Sequence, residues 1–138
     1  MSQKVSRMKR FEDVVPVIDS SHKGLNSYYY IAVDDLIEAA KFFLAEGARI
    51  SMISGLDARD HLEVLYHFAI WGNIFTTIVK IPYEKPEIPT ITSYFEAAIL
   101  YERELIGLFG IDVRGIPDSR PLEIPPKYTD RLPPLRRA

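Results

Sequence analysis

Apolar and polar residues alternate from His61 to Trp71. Leu62, Val64, Tyr66, Phe68 and Ile70 point one way, and His61, Glu63, Leu65, His67, Ala69 and Trp71 the other. This pattern predicts a strand with one buried face. The run Ile74 to Ile81 follows across Gly72-Asn73, a dipeptide that fits a type II′ turn, so the two runs are expected to pair antiparallel. Upstream, the aromatic and β-branched run Tyr28 to Val33 predicts a first strand. Ala48 to Gly55 predicts a second, with Ile50 and Met52 on one face, before a polar turn over Leu56 to Asp60. Between these two strands the period changes. Leu36, Ile37, Ala40, Phe43 and Leu44 recur at helical spacing, with Asp34 or Asp35 at the cap, Glu38, Lys41 and Glu46 turned outward, and Gly47 at the helix end.

A second helical stretch, Tyr94 to Gly110, is apolar on both sides. Ser93 and Glu96 have the spacing of a capping box, and Gly107 and Gly110 supply stop signals. At about 100° per residue, Phe95, Ala98, Ile99, Glu102, Leu105, Ile106 and Phe109 share one face. Tyr94, Ala97, Leu100, Tyr101 and Leu108 cover the other, with Glu104 among them. Such a helix is expected to be packed on two sides. Pro82, Pro86 and Pro89 hold an extended connection into it. The elements add up to an α+β fold, a mostly antiparallel four-stranded sheet packed by two main helices. Residues 1–27, which mix charges and serines with Pro16 and Gly24, read as a loose N-terminal arm with room for one short helix or strand, and residues 28–111 as the α+β domain. Residues 112–138 hold six prolines, six basic and four acidic residues, an extended tail suited to lie along another subunit.

Composition narrows the functional classes. With 138 residues the chain fits one domain with a real core, and 47% apolar against 26% charged residues is ordinary for a globular protein. A net charge of -2 argues against general nucleic-acid binding. Cysteine is absent, which removes disulfides, thiolate catalysis and the usual iron–sulfur ligands. Any redox chemistry must then be carried by other chains. No apolar run approaches the roughly 20 residues of a membrane-spanning helix. The basic stretch Lys4, Arg7, Lys9 and Arg10 is not followed by the apolar region of a signal peptide. The expected location is cytoplasmic, with any membrane link made through partners.

Candidate catalytic groups are few. His22, His61 and His67 are the three histidines, and the last two stand about 20 Å apart along one strand, too far to share a metal. Glu102 and Glu104 diverge by about 200° around a helix and cannot act as a pair. Glu102, on an apolar stripe, is instead expected to reach a buried donor in this chain or in a partner, because an unpaired buried charge is costly. Arg103 can fork onto a carboxylate. No catalytic, cofactor-binding or metal residue is predicted.

The run Tyr101-Glu102-Arg103-Glu104-Leu105-Ile106-Gly107-Leu108-Phe109-Gly110-Ile111, followed by Gly115-Ile116-Pro117-Asp118-Ser119-Arg120, resembles the signature of the complex I 30 kDa subunit family, the NuoC type. That pattern is E-R-E, two residues, an acid, two apolar residues, G-I, then G-H-P-D-x-R. Gly107 replaces the acid and Ile116 the histidine, as in relatives from membrane-bound [NiFe] hydrogenases and ferredoxin-dependent ion-pumping complexes. The resemblance implies a non-catalytic subunit of a peripheral arm. Such a subunit carries no cofactor and braces the large subunit related to [NiFe] hydrogenase, beside an iron–sulfur subunit. Iron–sulfur clusters, and a NiFe centre in some complexes, belong to those partners. Carried over by position, Glu102, Arg103, Glu104, Phe109, Gly110, Gly115, Pro117, Asp118 and Arg120 become folding and partner-interface residues. The alternative is a free-standing small homo-oligomeric adaptor or enzyme unrelated to redox complexes.

Overall fold

The computed structural model describes residues 10–117, so of the predicted tail, residues 112–138, the part from Asp118 onward lies outside the described residues, while its first residues, Asp112–Arg114, form a strand. Seven strands and two main helices follow a short helical turn over 10–14. They are β1 (Val17–Lys23), β2 (Asn26–Ile31), α1 (Leu36–Ala45), β3 (Arg49–Asp57), β4 (His61–Ile70), β5 (Asn73–Pro82), β6 (Glu87–Pro89), α2 (Ala98–Phe109) and β7 (Asp112–Arg114). The main sheet runs β1-β2-β5-β4-β3.

That order corrects the expected four strands, while the sheet is mostly antiparallel as predicted, in three of its four pairings. It has five strands, because β1 from the presumed arm pairs with β2, and it is mixed, because β2 lies parallel to β5. The physical reason is the placement of α1. It carries the chain from the end of β2 across one face to β3, leaving β2 free to pair with β5 and β4 between β5 and β3. A second, two-stranded parallel sheet joins β6 to β7.

The alternation that predicts β4 holds. Leu62, Val64, Tyr66, Phe68 and Ile70 are all buried, and both helices cover that face. Phe43 of α1 stacks on Phe68 with centroids 4.4 Å apart and lies 5.8 Å from Phe75. Phe95, just before α2, also packs on Phe68, with ring centroids 5.3 Å apart. Phe11, from the turn over 10–14, packs on Tyr29 and Phe43 and is fully buried.

Three local expectations are revised. The β4–β5 hairpin pairs antiparallel as predicted, but its loop is Trp71-Gly72. Both residues have positive φ, 48° and 80°, as a type I′ turn requires, which replaces the II′ turn over Gly72-Asn73. The register slips between Ile50 and Met52, so these two do not share a face. Ile50 is buried, whereas Met52 is 48% exposed. Finally, α2 begins at Ala98 rather than after a Ser93 cap, and no side chain caps it.

Phe109 of α2 lies directly against Gly55 of the edge strand β3. A Cβ built there would lie 2.6 Å from the Phe109 ring. Only glycine lets the helix seat this deeply. Gly55→Ala is therefore expected to destabilise the fold by about 1–3 kcal/mol, through forced displacement of Phe109. Urea or thermal unfolding of the two proteins measures it.

Candidate partner interface

Glu102 lies midway along α2 and has no exposed surface. Its Oε1 accepts hydrogen bonds from the Thr90 hydroxyl at 2.5 Å and the Thr92 hydroxyl at 2.8 Å, and its Oε2 accepts the Ile91 N–H at 2.9 Å. Thr90 Oγ1 in turn accepts the Thr92 N–H at 3.1 Å. The donors foreseen for Glu102 thus belong to this chain. They also explain why the Ser93 cap fails to form. With residues 90–92 held against the helix side, the Tyr94 and Phe95 N–H groups both turn back to the Ile91 carbonyl, and helix starts only after a further turn.

The same segment is gripped from its other side. α2 ends where Gly110, with φ 69°, reverses the chain, so that the Gly110 and Ile111 N–H groups bond to the Ile106 and Leu105 carbonyls. A residue with a side chain resists that left-handed geometry. The reversal sends Asp112–Arg114 back along β6. There the Asp112 N–H bonds to the Pro86 carbonyl and the Thr90 N–H to the Arg114 carbonyl, each at 2.9 Å. Ile88, Ile91, Ile111 and Val113 are buried around this junction. Gly115 follows beside the Thr90 methyl. Glu102, Gly110 and Gly115, separated in sequence, thus converge on residues 86–92.

The remaining predicted interface residues spread over several surroundings. Phe109 is buried on Gly55, while Arg103 is partly buried and Glu104, Gly110, Gly115 and Pro117 are exposed. Leu100, on the outer side of α2, is 57% exposed. Asp118 and Arg120 fall outside the described residues. Sequence reasoning missed Thr90, Thr92 and Gly55. The two threonines flank a buried isoleucine in a proline-rich loop, and nothing in their spacing announces a carboxylate ten and twelve positions away. Tyr101 was read as apolar cover, yet its hydroxyl donates to the Ser51 carbonyl at 3.1 Å and ties α2 to β3 at the bulge.

Electrostatics separates the histidines. His61 sits between Asp60 Oδ1 at 2.7 Å and Glu63 Oε2 at 2.8 Å, and these carboxylates, Glu63 foremost, raise it above its ordinary 6.5. His67 bonds to Thr76 Oγ1 at 2.9 Å, and burial pushes it below 6.5. Tyr66 is entirely buried, and burial, reinforced by the Glu102 charge, holds its hydroxyl protonated well above the ordinary range. Among the described residues no group of His, Asp and Glu side chains is arranged to hold a metal ion. A groove of about 400 Å³ runs beside Ile18, Asp19, Tyr30 and Lys80, on elements other than α2.

Two predictions follow from these surroundings. Glu102→Gln puts an amide NH₂ against hydrogen-bond donors. It is expected to cost about 1–3 kcal/mol and to speed hydrogen exchange at the Ile91 amide, measured by NMR. The second concerns pH. Because the folded state favours protonated His61, that group adds stability below pH 6.5 and loses it as pH rises through its raised folded value. His67 does the reverse, since its folded state favours the neutral ring and acidification below 6.5 costs stability. In ¹H–¹⁵N spectra His61 is expected to titrate above 6.5 and His67 below it. The opposite order would contradict this assignment.

The family model described as "Respiratory-chain NADH dehydrogenase, 30 Kd subunit" matches residues 29–138. The chain is 32% identical over 114 residues to formate hydrogenlyase subunit 5 of Escherichia coli (strain K12), covering 78% of this chain and 20% of that protein. It is 26% identical over 136 residues to the membrane-bound hydrogenase subunit beta of Pyrococcus furiosus, covering 93% and 79% respectively. Its fold matches a chain of the membrane-bound sulfane sulfur reductase, an archaeal respiratory membrane complex. There the TM-score is 0.78 and the identity 17%, over 98% of this chain and 84% of that one. Other curated relatives are matched over about half their length. Among the described residues no helix is long and apolar enough to cross a membrane.

Proposed function

Since the chain belongs to the respiratory-chain NADH dehydrogenase 30 Kd subunit family, we propose that it is a non-catalytic subunit of the peripheral arm of a membrane-bound oxidoreductase complex. It braces the large subunit related to [NiFe] hydrogenase, next to an iron–sulfur subunit, on the cytoplasmic side. Those partners carry the clusters and any nickel centre. The names of its relatives, drawn from hydrogenase and NADH-quinone complexes, support a place in such an assembly.

One observation carries the bracing role. The acid of the family signature that is most hidden, Glu102, satisfies three donors of its own chain, so it builds a rigid support rather than acting on a substrate. What it supports is α2, whose outer side offers Leu100, Glu104 and the neighbouring Arg103. Beyond α2 the tail from Asp118, including Arg120, is the second element we assign to the partner. The chain spans 20% of the formate hydrogenlyase subunit, so the activity of that larger protein is not carried over to it.

The test is assembly. Affinity-tagged chain purified from its host is expected to bring down a large subunit and an iron–sulfur subunit. Glu104→Ala and Arg103→Ala are each expected to reduce that recovery about fivefold, roughly 1 kcal/mol of interface energy. Their effect on the melting of the isolated chain should be smaller. Co-purification at wild-type yield, or a native mass corresponding to copies of this chain alone, would replace this reading with the free-standing homo-oligomer.

A further inference from the structure

The β4–β5 hairpin ends in the chain's single tryptophan. Trp71 is 83% exposed and occupies the first central position of a type I′ turn, with φ 48°. That position favours Asn, Asp or Gly, because a side chain of any size is strained there. An indole gains nothing from the turn and, being exposed, little from the core.

Its neighbours make a surface. The Ile74 N–H bonds to the Leu25 carbonyl at 2.9 Å, which sets the tip of the β1–β2 hairpin beside that of β4–β5, and Leu25 is 64% exposed. Register places Lys23 opposite Asn26 at the end of β1 and Arg49 opposite Ala69 at the start of β3, so a cation flanks the two apolar side chains on either hand. Both are exposed, and neither belongs to an ion pair seen among the described residues. Glu46, an acid of the neighbouring turn after α1, is taken by Arg10.

We propose that the Trp71–Leu25 tip is a second docking point, at the opposite end of β4 from the β3–β4 turn, for a protein partner that offers an apolar socket with carboxylates on its rim. A buried tryptophan ringed by complementary charge is the composition of an interface hot spot. The strain at Trp71 then has a use that the isolated chain lacks. A bilayer fits less well, for two cations and two apolar side chains make a small anchor beside an amphipathic helix, and the net charge of -2 opposes an anionic surface. This inference rests on the reading of the chain as a subunit.

The test uses the complex purified from the host through the tagged chain. Trp71→Asn suits the turn and is expected to melt no lower than wild type, yet to weaken retention of partner subunits at least tenfold. Arg49→Glu should weaken it further as salt is lowered, by like-charge repulsion. With a photoreactive benzoylphenylalanine at position 71, cross-links are expected on one partner subunit, in a segment containing Asp or Glu. Cross-links to lipid or to a second copy of this chain, or retention of Trp71→Asn equal to wild type, would overturn the proposal. If tagged wild-type chain brings down no partner at all, the subunit reading itself fails, a result separate from those three.

Discussion

A carboxylate removed from water must be met by donors, or the charge costs more than a small domain can spare. Glu102 meets that requirement with one backbone N–H and two threonine hydroxyls from a single stretch, residues 90–92. Much of the second half of the chain is shaped by this choice. The loop before α2 is drawn onto the helix flank, helix formation is delayed to Ala98, and the strand after the helix is received by β6 next to the same threonine. The connection between sheet and helix thus becomes a closed unit.

This unit links the signature residues to function. Gly110 turns the chain, Phe109 seats α2 on Gly55, and Tyr101 pins the helix to the β3 bulge. Each contact fixes the position of α2 against the edge of the sheet. A helix so constrained presents its outer side as a rigid surface, which is what the proposed bracing of larger partners requires.

How much of this could be read from the chain depends on range. Period-two alternation fixed the faces of β4, because burial of one side acts on each residue separately, and helical spacing placed α1. Expectation failed where distant parts of the chain decide. β1 is nearly all exposed and polar, so no alternation marks it, and its pairing comes from the β2 edge. The parallel register of β2 with β5 depends on where α1 crosses, which no local window contains. At Ser93 a valid capping signal lost to the three hydrogen bonds that residues 90–92 donate to Glu102. The burial of Glu102 was legible from its apolar stripe. The identity of its donors was not, since threonines in a loop carry no sign of their acceptor.

The most direct measurement is a double-mutant cycle between Glu102→Leu and the pair Thr90→Val with Thr92→Val, read by urea unfolding of all four proteins. Removing either side alone strands buried polar groups, whereas removing both leaves mainly the Ile91 and Thr92 N–H groups without their acceptors. The account predicts a coupling of about 1–3 kcal/mol, with the combined variant more stable than the sum of its parts. Additivity within about 0.5 kcal/mol would contradict it.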